Sequence, residues 1–185
     1  MTGLYRESRR SFNEPGHAHF LTYSCHERLP LLAKDRVRRW VIDAMDVARR
    51  RHEFDLLGYV IMPEQVHQLI LPRRDHYRMD RILADLKRPV SVRAKEYLIE
   101  TNQTQWLNRL TVREGTDSTL RFWLAGGGFD QNITTEKSLP EIIEYIHANP
   151  VRRGRVRSPL DWEWSSARFW AGLGPVHLEM DQLPR

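Results

Sequence analysis

Hydrophobic positions along the chain change period several times, and each change outlines an element. From His17 to Cys25 (HAHFLTYSC), aromatic and β-branched residues suggest a first strand. Val37, Val41, Ile42, Met45 and Ala48 then recur at helical spacing, which predicts a helix from Asp35, as its cap, to about His52. Two apolar runs follow, FDLLGYVIM (54–62) and VHQLILP (66–72), and the intervening Pro63-Glu64-Gln65 makes them a hairpin. Ile82, Leu83, Leu86 and Val90 predict a second helix over about 79–99, which Pro89 should kink or divide. The stretch 120–133 mixes aromatics with Gly126-Gly127-Gly128 and reads as strand, tight turn and strand. Ser138–Asn149 reads as a helix stopped by Pro150. Helices interleaved with a largely antiparallel sheet predict an α+β sandwich, open on one side.

The 185 residues, 41% of them hydrophobic, suffice for one buried core and are too few for two ordinary domains. Residues 1–16 carry Arg6, Arg9 and Arg10 with little apolar periodicity and read as a basic arm. Residues 17–157 form the central domain, and 158–185 a Trp-rich tail that folds back on it. No secretory signal and no run of ~18 apolar residues is present, so the expectation is a cytoplasmic protein without a membrane partner. Cys25, the single cysteine, excludes an intrachain disulfide and a multi-cysteine zinc site. His17, His19, Cys25 and His26 match no strong metal spacing.

A net charge of +5 suits a polyanionic partner, although a basic solvated surface gives the same number. Basic residues gather at Arg73/Arg74, Lys87/Arg88/Arg93 and Arg152/Arg153/Arg155/Arg157 as well as in the arm. The last group follows the late helix directly and is a candidate phosphate grip. Arg49–Arg51, at a helix end, suit the helix dipole instead.

Alternation on a strand places Gln65 and His67 on one face, and helical spacing places Tyr145 and Asn149 on one face. Imidazole, two amide oxygens and a phenol make a minimal divalent-cation site beside a nucleophile. The plain alternatives are a hydrogen-bonded core histidine, a packing tyrosine and an asparagine that ends a helix.

Several segments bear on that choice. GYVIMPEQVHQLIL (58–71) resembles the segment YVxMPxHVHLLI of REP-associated tyrosine transposases, members of the HUH (His-hydrophobic-His) class. YIHANPVRRGRV (145–156) resembles their YIHxNPVRxGLV, which begins at the catalytic tyrosine, and WEWSSARFW (162–170) resembles WxWSSxxxY. HFLTYSCHERLPLL (19–32) and FWLAGGGFDQNI (122–133) match further family segments, the latter near FWQRxxYDxNI, so the resemblance spans about residues 15–170 in order.

The resemblance implies a ferredoxin-like antiparallel sheet packed with helices, of the HUH single-tyrosine type. It implies a transposase or endonuclease that cuts and rejoins single-stranded DNA at hairpin-forming repeats. Tyr145 would be the nucleophile of a 5′-phosphotyrosine intermediate, with Mg²⁺ or Mn²⁺ held by His67, Gln65 and Asn149. Arg152, Arg153, Arg155, Arg73, Arg74, Lys87 and Arg88 would contact single-stranded or hairpin DNA, and the unit would be a monomer or homodimer near the nucleoid. One departure weighs on this. Gln65 stands where the family has its first histidine, and an amide oxygen is a weaker ligand than imidazole. Gln68 replaces a usual leucine, and Leu124-Ala125 a polar pair. A catalytically impaired descendant that binds hairpin DNA without cutting is therefore the alternative. An RNA-binding module on a similar sheet ranks lower, because no RNP-type aromatic motif is present.

Overall fold

The computed structural model describes residues 13–184. The basic arm's Arg6, Arg9 and Arg10 lie outside the described residues.

Four strands form the main sheet: β1 (Ala18–Ser24), β2 (Phe54–Ile61), β3 (Gln65–Pro72) and β6 (Phe129–Ile133), in the order β2-β3-β1-β6. Each pair is antiparallel. Helices α1 (Asp35–His52) and α2 (Met79–Glu100) form the crossovers. Thus β3 separates β1 from β2, and β1 separates β3 from β6, giving two split β-α-β units and a ferredoxin-like fold.

Alternation along the strands decides what each face meets. Leu21 and Tyr23 of β1, with Val66 and Ile70 of β3, join a core cluster with α1 and α2. Ala18 of β1 and Leu69 of β3 face the other way, into a second cluster with Leu139, Ile143 and Ile146 of α4 (Leu139–Arg152). A bulge between Leu56 and Gly58 switches the parity of β2: Phe54 and Leu56 before it, and Tyr59 and Ile61 after it, all enter the first cluster. At the bulge a Cβ on Gly58 would sit 3.3 Å from Ile143 Cγ1, so glycine lets α4 lie close to the strand.

Sequence expectations depart from this structure in four places. Helix α1 begins at Asp35 itself, with Lys34 before it, and Asp35 instead holds Arg38 at 3.1 Å across one turn. Pro89 does not divide α2. Residues 120–133 are not a hairpin: Leu120 ends β5 (Asp117–Leu120), which pairs with β4 (Thr111–Glu114) after the short helix α3 (Thr104–Leu110). Trp123 makes only a single bridge to Cys25 before β6 starts.

Pro150, finally, does not stop α4, which runs on to Arg152. A proline has no N–H for the carbonyl one turn back. Here the Asn149 side chain supplies it, donating Nδ2 to Ile146 O at 3.2 Å and to Tyr145 O at 2.9 Å.

The Trp-rich tail lies along the exposed edge of β2. Ile61 N–H donates to Trp164 O at 2.8 Å, and Ser166 N–H to Tyr59 O at 3.0 Å. The indoles of Trp162 and Trp170 donate to Ile61 O and Leu57 O at 3.2 and 2.9 Å. An edge strand with free backbone groups is thereby covered. No helix among the described residues is long and apolar enough to cross a membrane.

Candidate active site

The site lies where the start of β3 meets the last turns of α4. Gln65 and His67 project from β3 on the α4 face, and both are buried. Thr22 is the register partner of His67 across the β1–β3 ladder. Its Oγ1 lies 2.7 Å from His67 Nδ1, and the Gln65 amide Nε2 lies 2.9 Å from His67 Nε2. The amide N–H donates to Nε2, which leaves Nδ1–H to donate to Thr22 and fixes one tautomer. Burial, and then the charge of Arg153, lower the His67 pKa to about 4, so the ring is neutral at physiological pH.

Tyr145 projects from α4 towards this pair. Its ring packs edge-on against His67, centroids 6.4 Å apart, and against Phe20 at 5.8 Å. Phe20 also stacks on His67 at 5.9 Å and meets Phe129 edge-on at 6.0 Å, so one strand residue braces three rings. The Tyr145 ring is held while the residue stays 42% exposed, open to a ligand. The Arg152 guanidinium sits 4.9 Å above the Tyr145 ring, a cation–π contact beside the phenol.

Asn149, one turn on, lines the same groove as Gln65, His67 and Tyr145. Its Nδ2 is committed to the α4 carbonyls, so Oδ1 is the polar atom it can offer. Arg28 and Arg153 also line the groove, against one lining carboxylate, Glu141. Such a balance favours an anion.

The remaining sequence candidates separate into three groups. Arg155 lies 3.8 Å from Glu64, beside the site. Lys87 and Arg88 lie on α2, where Lys87 Nζ donates to Gly126 O at 2.8 Å. Arg73 and Arg74 follow β3 at the end away from Gln65 and are taken up by carboxylates. Arg74 makes two bonds to Glu53, at 2.6 and 2.9 Å, and Arg73 lies 3.4 Å from Asp55. The structure therefore brings Tyr145, His67, Gln65, Asn149 and Arg153 together and leaves Arg73 and Arg74 elsewhere.

Sequence reasoning missed Thr22, Phe20 and Arg28. The first two are visible only once the β1–β3 register is known. Arg28 follows β1 in a turn where Glu27 and Arg28 both hold left-handed backbone, φ 51° and 54°. Nothing in the letters HER signals that conformation.

Among the described residues no group of three His, Cys, Asp or Glu could hold a metal. The donors present are one neutral, oriented imidazole and two amides. That set fits a hard divalent ion such as Mg²⁺ or Mn²⁺ that keeps part of its water shell, once the Gln65 amide turns its oxygen inward.

Comparison with known proteins finds a similar sequence and a similar fold. A Haemophilus influenzae protein assigned by name to the REP-associated tyrosine transposases is 27% identical over 166 residues, covering 85% of this chain and 83% of its own. The solved structure of a REP-associated tyrosine transposase bound to a REP hairpin superposes with a TM-score of 0.67 at 20% identity, covering 95% of this chain and 92% of that one. This chain is similar in sequence to a REP-associated tyrosine transposase and similar in fold to another. It shares their fold. A transposase structure from Deinococcus radiodurans gives a TM-score of 0.46 at 16% identity over 75% of this chain and 95% of that one. No family model matches.

Proposed function

We propose that this protein is a single-stranded-DNA transposase or endonuclease that cuts and rejoins at hairpin-forming repeats through Tyr145. The observation that carries the reading is the seating of an exposed phenol against a buried, neutral His67, in a groove edged by Arg28 and Arg153. The relationship to the REP-associated transposases, one of them solved on a REP hairpin, supports hairpin DNA as the ligand.

In the proposed step Tyr145 Oη bonds to the scissile phosphorus and the P–O3′ bond breaks. The phenolic proton leaves to solvent, and the departing 3′ oxygen takes a proton from water. A 5′-phosphotyrosine and a free 3′-hydroxyl result, and the reverse attack rejoins the strand. A phenol with a pKa near ~10 is a weak nucleophile at neutral pH, so position and charge must assist it. Phe20 and Arg152 hold the ring, while Arg153 and Arg28 offer guanidinium N–H groups to phosphate oxygens. A divalent ion held by His67, Gln65 and Asn149 would draw charge from the phosphoryl oxygens.

The test is incubation with a single-stranded hairpin oligonucleotide and Mn²⁺, followed by denaturing electrophoresis. A covalent adduct is expected with the wild-type chain and none with Tyr145→Phe. An adduct that persists in the variant, or none in either, refutes the reading.

A second reading, hairpin binding without cleavage, is favoured by one observation. The Gln65 amide N–H occupies the imidazole nitrogen that would face a metal. It predicts salt-sensitive binding with no adduct under any divalent ion.

A further inference from the structure

Tyr145 is placed by ring contacts with Phe20, His67 and Arg152. Such contacts are non-directional and let a ring slide. In-line attack needs the phenol oxygen at one place, so whatever sets the position of α4 on the sheet sets the geometry of the proposed reaction.

Helix α4 meets the sheet mainly through Leu139, Ile143 and Ile146, which pack with Leu57, Val60 and Met62. His147 interrupts that apolar layer. It is buried, and its Nε2 lies 2.8 Å from the Oγ of Ser166, also buried. Among the described residues this is the one hydrogen bond that an α4 side chain makes to another element, since those of Asn149 stay within the helix. Ser166 Oγ in turn accepts the Tyr59 N–H at 2.9 Å, so one hydroxyl joins α4 to the backbone of β2.

Successive helix residues are about 100° apart, which puts His147 about 200° round from Tyr145. One faces the groove and the other faces β2. Ile143, one turn before His147, meets the same place: a Cβ on Gly58 would lie 3.3 Å from Ile143 Cγ1 and 3.7 Å from Ser166 Oγ. The bulge in β2, the tail along its edge and a buried polar pair therefore converge beneath α4. A polar pair in an apolar layer adds little net stability, and it is satisfied at only one relative position of its two partners.

We propose that His147 and Ser166 are positioning residues for Tyr145, their bond fixing α4 against β2 and so the phenol against His67. The proposal rests on the reading of Tyr145 as the nucleophile and names what holds it in place. A purely structural role makes a different prediction. Ser166 Oγ also lies 3.3 Å from Tyr59 O and can donate there once His147 is replaced, so loss of the imidazole nitrogens orphans no buried group and should leave the site unchanged.

His147→Leu and His147→Phe cannot bond Ser166, whereas the amide of His147→Gln can. Adduct formation with a hairpin oligonucleotide and Mn²⁺ would be followed as a function of DNA concentration. For the leucine and phenylalanine variants the rate at saturating DNA should fall on the order of tenfold, with the half-saturating concentration held within about twofold. His147→Gln should recover most of the rate. A saturating rate unchanged in both apolar variants overturns the proposal, as does a glutamine variant no faster than they are. If the wild-type chain forms no adduct, the cleavage reading falls, and a second measurement still decides this one. With 3-fluorotyrosine at position 145, the ¹⁹F spectrum should show one resonance in the wild-type and His147→Gln chains and a split or broadened one in His147→Leu. A His147→Leu spectrum identical to wild type overturns the proposal.

Discussion

Replacing Gly128 by alanine tests the link between the Gly126–Gly128 loop and the His67–Tyr145 pair, because two penalties act at one point. The first is backbone: at φ +84° an L-residue is strained by about 1–2 kcal/mol. The second is overlap. The new Cβ would lie 2.4 Å from Thr22 O and 3.3 Å from Tyr23 Cα, so neither neighbour can yield by rotating a side chain. Both contacts are backbone of β1, a strand paired on both sides by β3 and β6. Overpacking of this kind adds about 1–3 kcal/mol. A total near ~3 kcal/mol should lower the melting temperature by about 6–12 °C for a chain of this size. The displaced backbone belongs to Thr22, whose hydroxyl holds His67 Nδ1, so adduct formation should fall further than the melting shift explains. Thermal denaturation beside Gly127→Ala, where the nearest contact is 3.7 Å, is the assay. A Gly128→Ala protein that melts within about 2 °C of its Gly127→Ala counterpart would refute the reasoning.

Three other outcomes follow from the same structure. Gln65→His should raise adduct yield at limiting Mn²⁺, because a second imidazole replaces a weak amide donor; equal or lower yield would mark Gln65 as adapted to its role. Gln68 is fully buried, its Nε2 has no partner, and its Oε1 takes only a long 3.4 Å bond from Tyr23. Gln68→Leu with Tyr23→Phe should therefore stabilise by about 1–2 kcal/mol in urea unfolding, and a loss of stability would contradict the orphaned-amide account. His67 and His147 are both lowered to about 4 by burial, so between that pH and 6.5 the unfolded chain binds more protons than the folded one. Stability measured in EDTA should fall as pH drops through this window, by up to about 3 kcal/mol per imidazole. His147→Gln should flatten the curve; an unchanged slope would remove His147 from it.

Much of the frame was legible because local signals agree with the tertiary outcome. The end of α1 is marked by three arginines and His52 in its last turn, and Glu53 then takes left-handed backbone at φ 53°. The β2–β3 hairpin was legible because both strands are rich in apolar residues, and nearly all their positions are buried between the helix layers. The segment from Thr104 to Leu120 was not, since most of it is exposed and leaves no apolar period to read. The end of α4 was misplaced for a different reason. Proline usually breaks a helix by orphaning a carbonyl, and only the structure shows that the residue before it reaches back to satisfy that carbonyl.

That repair has a chemical consequence. The Asn149 amide nitrogen is engaged by the backbone of its own helix, so its oxygen is the end left for the groove. The same helical turn carries Tyr145, one of whose backbone carbonyl bonds comes from that amide. The Asn-Pro pair therefore does not end the helix: it leaves the Asn149 oxygen for the groove and carries the turn that bears Tyr145 on to Arg152. On the opposite wall, Thr22 does for His67 what the α4 carbonyls do for Asn149, since each uses one polar atom of the side chain and leaves the other for the site. Gln65 has no such anchor outside the site; its amide nitrogen bonds to His67 itself. Among the three candidate ligands, Gln65 and His67 therefore share a bond that would have to be exchanged before either could coordinate through those atoms. If these residues hold a divalent ion as proposed, the Gln65 amide would have to turn away from His67 Nε2 before or as that nitrogen coordinates.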